Sequence, residues 1–142
     1  MGSLISLAEV LPTNAQLIAI LKQYIEIHNK LLLLIKQKKD LDFEYKFALF
    51  NINEVIAEIN ILHKKIWDVK QQETDLFYMI QKIFINIEQQ RTEKFIKLYR
   101  AFQNYRDIHS HIPFVPYEYI DHAHTLAFIN MAEEYIQFYE TL

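Results

Sequence analysis

The sequence predicts an all-α protein, an antiparallel helical bundle of four main long helices in a single domain over residues 1–142. Three observations predict it. Apolar residues recur in steps of three and four along nearly the whole chain, the spacing that gathers them on one face of a 3.6-residue helix. One such run makes nine consecutive hits, which leaves little room for a strand. The only glycine is Gly2, so tight turns that need a positive φ have no supplier. Helices of about 25 residues are about 37 Å long, and amphipathic ones of that length need partners, so they pack as a bundle.

Taken in order, Ser3–Val10 reads as a short helix closed by Pro12. The first long helix runs from about Asn14 to Lys39, with Thr13 as a candidate N-cap. Its apolar stripe is Leu17, Leu21, Tyr24, His28, Leu31 and Ile35. The second follows Asp40 and carries Leu41, Tyr45, Ala48, Ile52, Val55, Ile59, Leu62, Ile66 and Val69, ending in the polar stretch Lys70–Glu73. The third starts near Thr74 with Leu76, Ile80, Ile83 and Ile87, then Phe95, Leu98, Phe102, Tyr105 and His109. Its polar interruption at Gln89-Gln90-Arg91 marks either a bend or a turn facing solvent. Pro113 and Pro116 end it, since a proline pushes the preceding residue out of the α region. The last helix starts at Pro116 and carries Ile120, Leu126, Ile129, Met131, Ile136 and Phe138.

Composition removes several function classes. Without internal glycine there is no Gly-rich phosphate loop, hence no nucleotide fold of that kind. Without cysteine there is no disulfide frame, thiol nucleophile or thiolate metal site, which suits a cytoplasmic location. The apolar run Leu31–Ile35 is far too short to span a bilayer, so no membrane partner is expected. The net charge of −3 gives no bulk affinity for nucleic acid.

Charge is nevertheless uneven. Residues 91–106 hold Arg91, Lys94, Lys97, Arg100 and Arg106 against Glu93 alone. From Asp107 onward there is no Lys or Arg, and four of the six histidines follow. At the junction lies Tyr105-Arg106-Asp107-Ile108-His109-Ser110-His111. RNA cleavage without metal needs a base for the 2′-hydroxyl, an acid for the leaving 5′-oxygen and a cation for the phosphoryl oxygens. Histidine suits the proton steps because its pKa lies near neutrality. Arginine suits the phosphate because its fork binds two oxygens at once. Arg106, Asp107 and His111 offer cation, polar partner and base, with His109 as a spare base. Cations at a helix end are also favoured by the macrodipole alone.

This stretch resembles the HEPN superfamily (higher eukaryotes and prokaryotes nucleotide-binding), whose motif is Arg, a polar residue, three to five further residues, then His. Arg106-Asp107-Ile108-His109-Ser110-His111 matches that order, and the span Tyr105–Tyr139 looks most like the abortive-infection branch. The resemblance covers about the last quarter of the chain. It implies an α-helical bundle, a motif near the end of a helix followed by a loop and a final helix, and a metal-independent ribonuclease of toxin or antiviral-defence type. It also implies Arg106 and His111 as catalytic pair, Asp107 as polar partner, and a homodimer whose two motifs face each other across one cleft. An antitoxin or other protein partner is implied in the same way, and no cofactor. On an ideal helix positions 106 and 111 lie about 140° apart whereas 106 and 109 share a face, so the pair with His111 needs the helix to loosen before Pro113.

Other readings stand beside this one. His28 lies on an apolar stripe and reads as a core histidine bonded to a neighbour; His63 reads as boundary or surface. His109, His111, Asp121, His122 and His124 fall within sixteen residues, a density that raises zinc. In a helix His122 and His124 point about 200° apart and cannot share an ion. Tyr99, Tyr105, Tyr117 and Tyr119 surround the motif and suit either core packing or base stacking. The alternative to an enzyme is a non-catalytic helical interaction module, antitoxin-like or scaffolding. Such a module would leave an apolar patch exposed.

Overall fold

Two continuous helices, not three shorter ones, make up the first part of the chain: α1 (Gly2–Phe47) and α2 (Ile52–Asn86). They are followed by α3 (Glu93–His111) and α4 (Ala123–Glu140). The computed structural model describes residues 2–86, 92–111 and 120–141, with side chains from 14 onward except at 86 and 111. Among the described residues there is no strand, and the architecture is the expected all-α bundle of four long helices.

The helix boundaries differ from those expected. Backbone remains helical through Pro12 and through Asp40, so α1 absorbs both proposed breaks. Around Asp40 the reason is local: Lys38 and Asp42 form an i,i+4 ion pair at 2.9 Å that supports the helix where a break between helices was expected. The turn falls instead at Ala48–Asn51, where the Val55 amide donates to the Asn51 carbonyl at 3.1 Å and so opens α2. Asn51 with Glu54 three residues later has the composition of a helix start. No described residue has a positive φ, so this turn works without glycine. The stretch Lys70–Glu73 is uninterrupted helix. Thr92 caps α3, its Oγ1 accepting from the Phe95 amide at 3.3 Å. α4 opens at Ala123 with His122 as cap, and Pro116 lies outside the described residues.

Side-chain pairs give the topology. Tyr24 of α1 meets Glu73 of α2, Phe84 meets Phe95 of α3, and Phe102 meets Phe128 of α4. α4 returns to α1 through Tyr135, which donates to Asn14, and through the ion pair Lys22–Glu140. Neighbouring helices are therefore antiparallel. The core is one cluster rich in rings: Tyr24, Phe77, Phe84, Phe102, Tyr105 and Phe128 are all buried. Each such side chain contributes about 1.5–3 kcal/mol by leaving water.

α3 and α4 cover only part of the first two helices. Their contacts reach α1 as far as His28, which bonds Ile120, and α2 from Glu73 onward. Beyond those levels, among the described residues, α1 and α2 continue as a two-helix hairpin of about 20 residues per arm, about 30 Å long. Leu31, Val55, Leu62, Ile66 and Val69 are buried within it. Its turn, Leu49 and Phe50, is in water, with Phe50 fully exposed.

Candidate functional site

Three helices bring one polar side chain each, or two, to the level where the four-helix bundle gives way to the hairpin. Glu73 sits on α2 in the same apolar stripe as Leu62, Ile66, Val69, Leu76, Ile80 and Ile83, all steps of four and three, and is 0% exposed. A carboxylate cannot stay there without hydrogen-bond donors. Tyr105 of α3 donates its hydroxyl to Glu73 Oε1 at 2.5 Å, and Tyr24 of α1 donates to the same oxygen at 3.2 Å. The two hydroxyls also touch each other. Thr74 Oγ1 reaches Oε2 at 3.5 Å.

His109 completes the cluster. It follows Tyr105 by four residues, so both rings leave the same face of α3. Its Nε2 lies 3.4 Å from Glu73 Oε1, with a side chain 12% exposed. The ring stacks flat on Phe77, centroids 4.1 Å apart and planes 4° from parallel. Phe77 follows Glu73 by four residues, so one face of α2 supplies both the carboxylate and the plate. A carboxylate set beside an imidazole is a recurrent way to orient a histidine for proton transfer.

The expected site residues are placed as follows. Arg106 is half-buried and Asp107 exposed, on the turn of α3 that carries His109. The helix continues to His111, so it does not loosen before that residue, and position 111 is rotated about 140° from 106. The side chain of His111 lies outside what is described. Position 109 is the histidine position that shares a face with 106. Arg106 and His109 are thus the pair of positions on a shared helix face, while the His109 ring itself packs on Phe77 and Glu73.

The remaining histidines have structural explanations. His28 is buried, its Nε2–H donating to the Ile120 carbonyl at 3.0 Å, and so pins the segment entering α4. His63 is exposed. His122 is the N-cap of α4, its Nδ1 accepting from the His124 amide at 3.1 Å. Among the described residues no three His, Cys, Asp or Glu side chains gather as a metal site. Tyr105 is core, and Tyr117 and Tyr119 lie outside the described residues.

Glu73 is the residue the sequence reading missed. It lay within Lys70–Glu73, expected to be a polar helix end, although it stands four residues from Val69 and three from Leu76. An acid in a stripe position was the available signal.

No family model, no curated protein and no solved structure matches this chain. Among the described residues no helix is long and apolar enough to cross a membrane.

Proposed function

We propose that this chain is an HEPN-like, metal-independent ribonuclease of toxin or antiviral-defence type, acting in the cytoplasm on single-stranded RNA. The observation that carries the reading is the last turn of α3. It holds Arg106, Asp107 and His109 just ahead of the final helix, with His109 held on Phe77 beside the buried carboxylate of Glu73. In this scheme a histidine takes the 2′-hydroxyl proton, the 2′-oxygen attacks the adjacent phosphorus, and the phosphorus–5′-oxygen bond breaks as the 5′-oxygen takes a proton from the now protonated histidine or from water. Arg106 holds the phosphoryl oxygens as negative charge builds on them. The substrate's own oxygen is the nucleophile, so no cofactor enters. His111 is the base by resemblance, and His109 is the base by its shared face with Arg106. Homodimerisation and an antitoxin partner belong to the same proposal.

The test is cleavage of single-stranded RNA in EDTA, with 2′,3′-cyclic phosphate or 3′-phosphate ends as product. Arg106→Ala lowers the rate by about 10²–10³. Loss of the proton-transferring histidine lowers it by about 10²–10⁴. The larger loss, at His111→Ala or at His109→Ala, identifies that residue. RNA left intact by the wild type, or cleaved equally by the variants, rejects the enzyme.

A second reading, a non-catalytic helical interaction module, is favoured by a different observation. The hairpin ends in exposed Phe43, Phe47, Leu49 and Phe50, the apolar patch such a module needs. Intact RNA together with a stable protein complex through that patch would leave this reading in place.

A further inference from the structure

We propose that the projecting α1–α2 hairpin is a docking surface for a second copy of this chain, the two hairpins lying side by side and antiparallel to make a four-helix bundle. The inference stands apart from the reaction proposed above. Three features of the hairpin carry it: its apolar area, its charge pattern and the match between its tip and its base.

Area comes first. Ten large apolar side chains stand exposed between Leu33 and Trp67, among them Phe43, Phe47, Leu49 and Phe50. Summed around both arms, over more than one face of the hairpin, they leave on the order of 1,000 Å² of apolar surface in water. A stable interface needs about 800 Å² from each partner. Between the two arms the hairpin presents a shallow groove lined by Asp40, Leu41, Glu58, Ile61 and Lys65, able to seat a helix edge.

Charge selects the occupant. The exposed acids Asp40, Glu44, Glu54 and Glu58 lie, on average, about 10 Å from the turn along the helix axes. The exposed bases Lys36, Lys39, Lys64 and Lys65 lie about 20 Å from it. Lys46 near the tip and Asp68 near the base are the exceptions, and the antiparallel overlap brings their levels together. Two parallel hairpins in register would set acid on acid and base on base. Two antiparallel hairpins overlapping by about 30 Å set the acid level of each on the base level of the other, twice, as a twofold axis requires. The pattern is self-complementary only in that arrangement.

The ends then match. At an overlap of about 30 Å, Leu49 and Phe50 of one copy reach the level of Leu33 and Trp67 of the other. Leu33 and Trp67 are each 58% exposed, although they sit at the base of the hairpin. The same register leaves the two last turns of α3 at opposite ends of the overlap, about 30 Å apart along the axes. It therefore competes with the homodimer of facing motifs, which would bring the two Ser110 positions close together, and spin labels at that position tell the two apart.

Light scattering of the full chain tests the proposal. Wild type is expected to be dimeric at tens of micromolar, and Phe47→Glu with Phe50→Glu to be monomeric with an unchanged helical circular-dichroism spectrum. Glu54→Lys with Glu58→Lys weakens the dimer at least about tenfold, and so does Lys64→Glu with Lys65→Glu. All four reversals in one chain restore it. Spin labels at Ser110→Cys, in a chain without native cysteine, are expected several tens of Å apart in the dimer. The proposal is overturned by a wild type that stays monomeric, including one that instead binds phosphatidylglycerol vesicles through the tip. It is equally overturned by a dimer that survives the Phe47/Phe50 replacements, by reversals that do not rescue one another, or by Ser110 labels in close contact.

Discussion

Glu73 and Tyr105 meet at 2.5 Å across the junction of α2 and α3, 32 residues apart in sequence. The tyrosine hydroxyl is the nearest donor to a carboxylate that is shut off from water, and Tyr24 brings a second hydroxyl from α1 to the same oxygen. One acid therefore holds three helices at a common level. Its directional bonds fix the rotation of each helix in a way the surrounding rings alone do not.

Removing that acid is expected to be costly. Glu73→Ala leaves a cavity and strands the hydroxyls of Tyr24 and Tyr105, a loss of about 3–4 kcal/mol. Glu73→Gln keeps an acceptor oxygen and is expected to lose about 1–2 kcal/mol. Urea unfolding followed by circular dichroism measures both. Equal losses for the two variants would show that the hydrogen bonds contribute little and the side-chain volume most.

The two tyrosines share one acceptor, so their effects should not add. Tyr24→Phe and Tyr105→Phe are each expected to cost about 1–2 kcal/mol. The double variant is expected to fall short of their sum by at least about 0.5 kcal/mol, because each hydroxyl also touches the other. A double-mutant cycle with strict additivity would contradict the shared network.

The motif residues are expected to separate by stability before any assay of activity. Asp107 is exposed and Asp107→Ala should stay within about 0.5 kcal/mol of wild type. His109→Ala removes a ring stacked on Phe77 and a contact with Glu73, and is expected to cost about 1–3 kcal/mol. Thermal melts of the two variants check this. A rate loss at His109 therefore has to be read on protein shown to be folded, with His109→Gln as the milder companion.

Thr92 offers a local test of where α3 begins. Thr92→Ala removes the oxygen that accepts from the Phe95 amide and is expected to cost about 1 kcal/mol, while Thr92→Ser is expected to be nearly neutral. A silent Thr92→Ala would place the start of the helix elsewhere.

The helical class and the buried faces were legible because apolar spacing reports helix faces directly. Leu17, Leu21, Tyr24, His28 and Leu31 form a buried stripe as read, and so do Phe95, Leu98, Phe102 and Tyr105. Helix ends were much less legible. The break read at Asp40 is mid-helix, since an acidic stretch in which Asp42 pairs with Lys38 four residues away is indistinguishable in sequence from one that stops a helix. The turn at Ala48–Asn51 was hidden because Ala48 and Ile52 continue the apolar spacing through it. Arg106, Asp107, His109 and His111 were singled out by residue type, order and spacing. Glu73, which stands against His109, was not, because its significance depends on Tyr24 and Tyr105 arriving from elsewhere in the chain.

The unbroken run of α1 and α2 from base to tip makes them a pair of stiff levers. Tyr24 and Glu73 ride on the same two rods that end at Phe47 and Ile52. If the rods stay straight, sliding one along the other at the tip shifts Tyr24 against Glu73 by the same amount, and Glu73 is the carboxylate beside His109. Whatever grips the distal end acts, by plain mechanics, on the ring some 30 Å away.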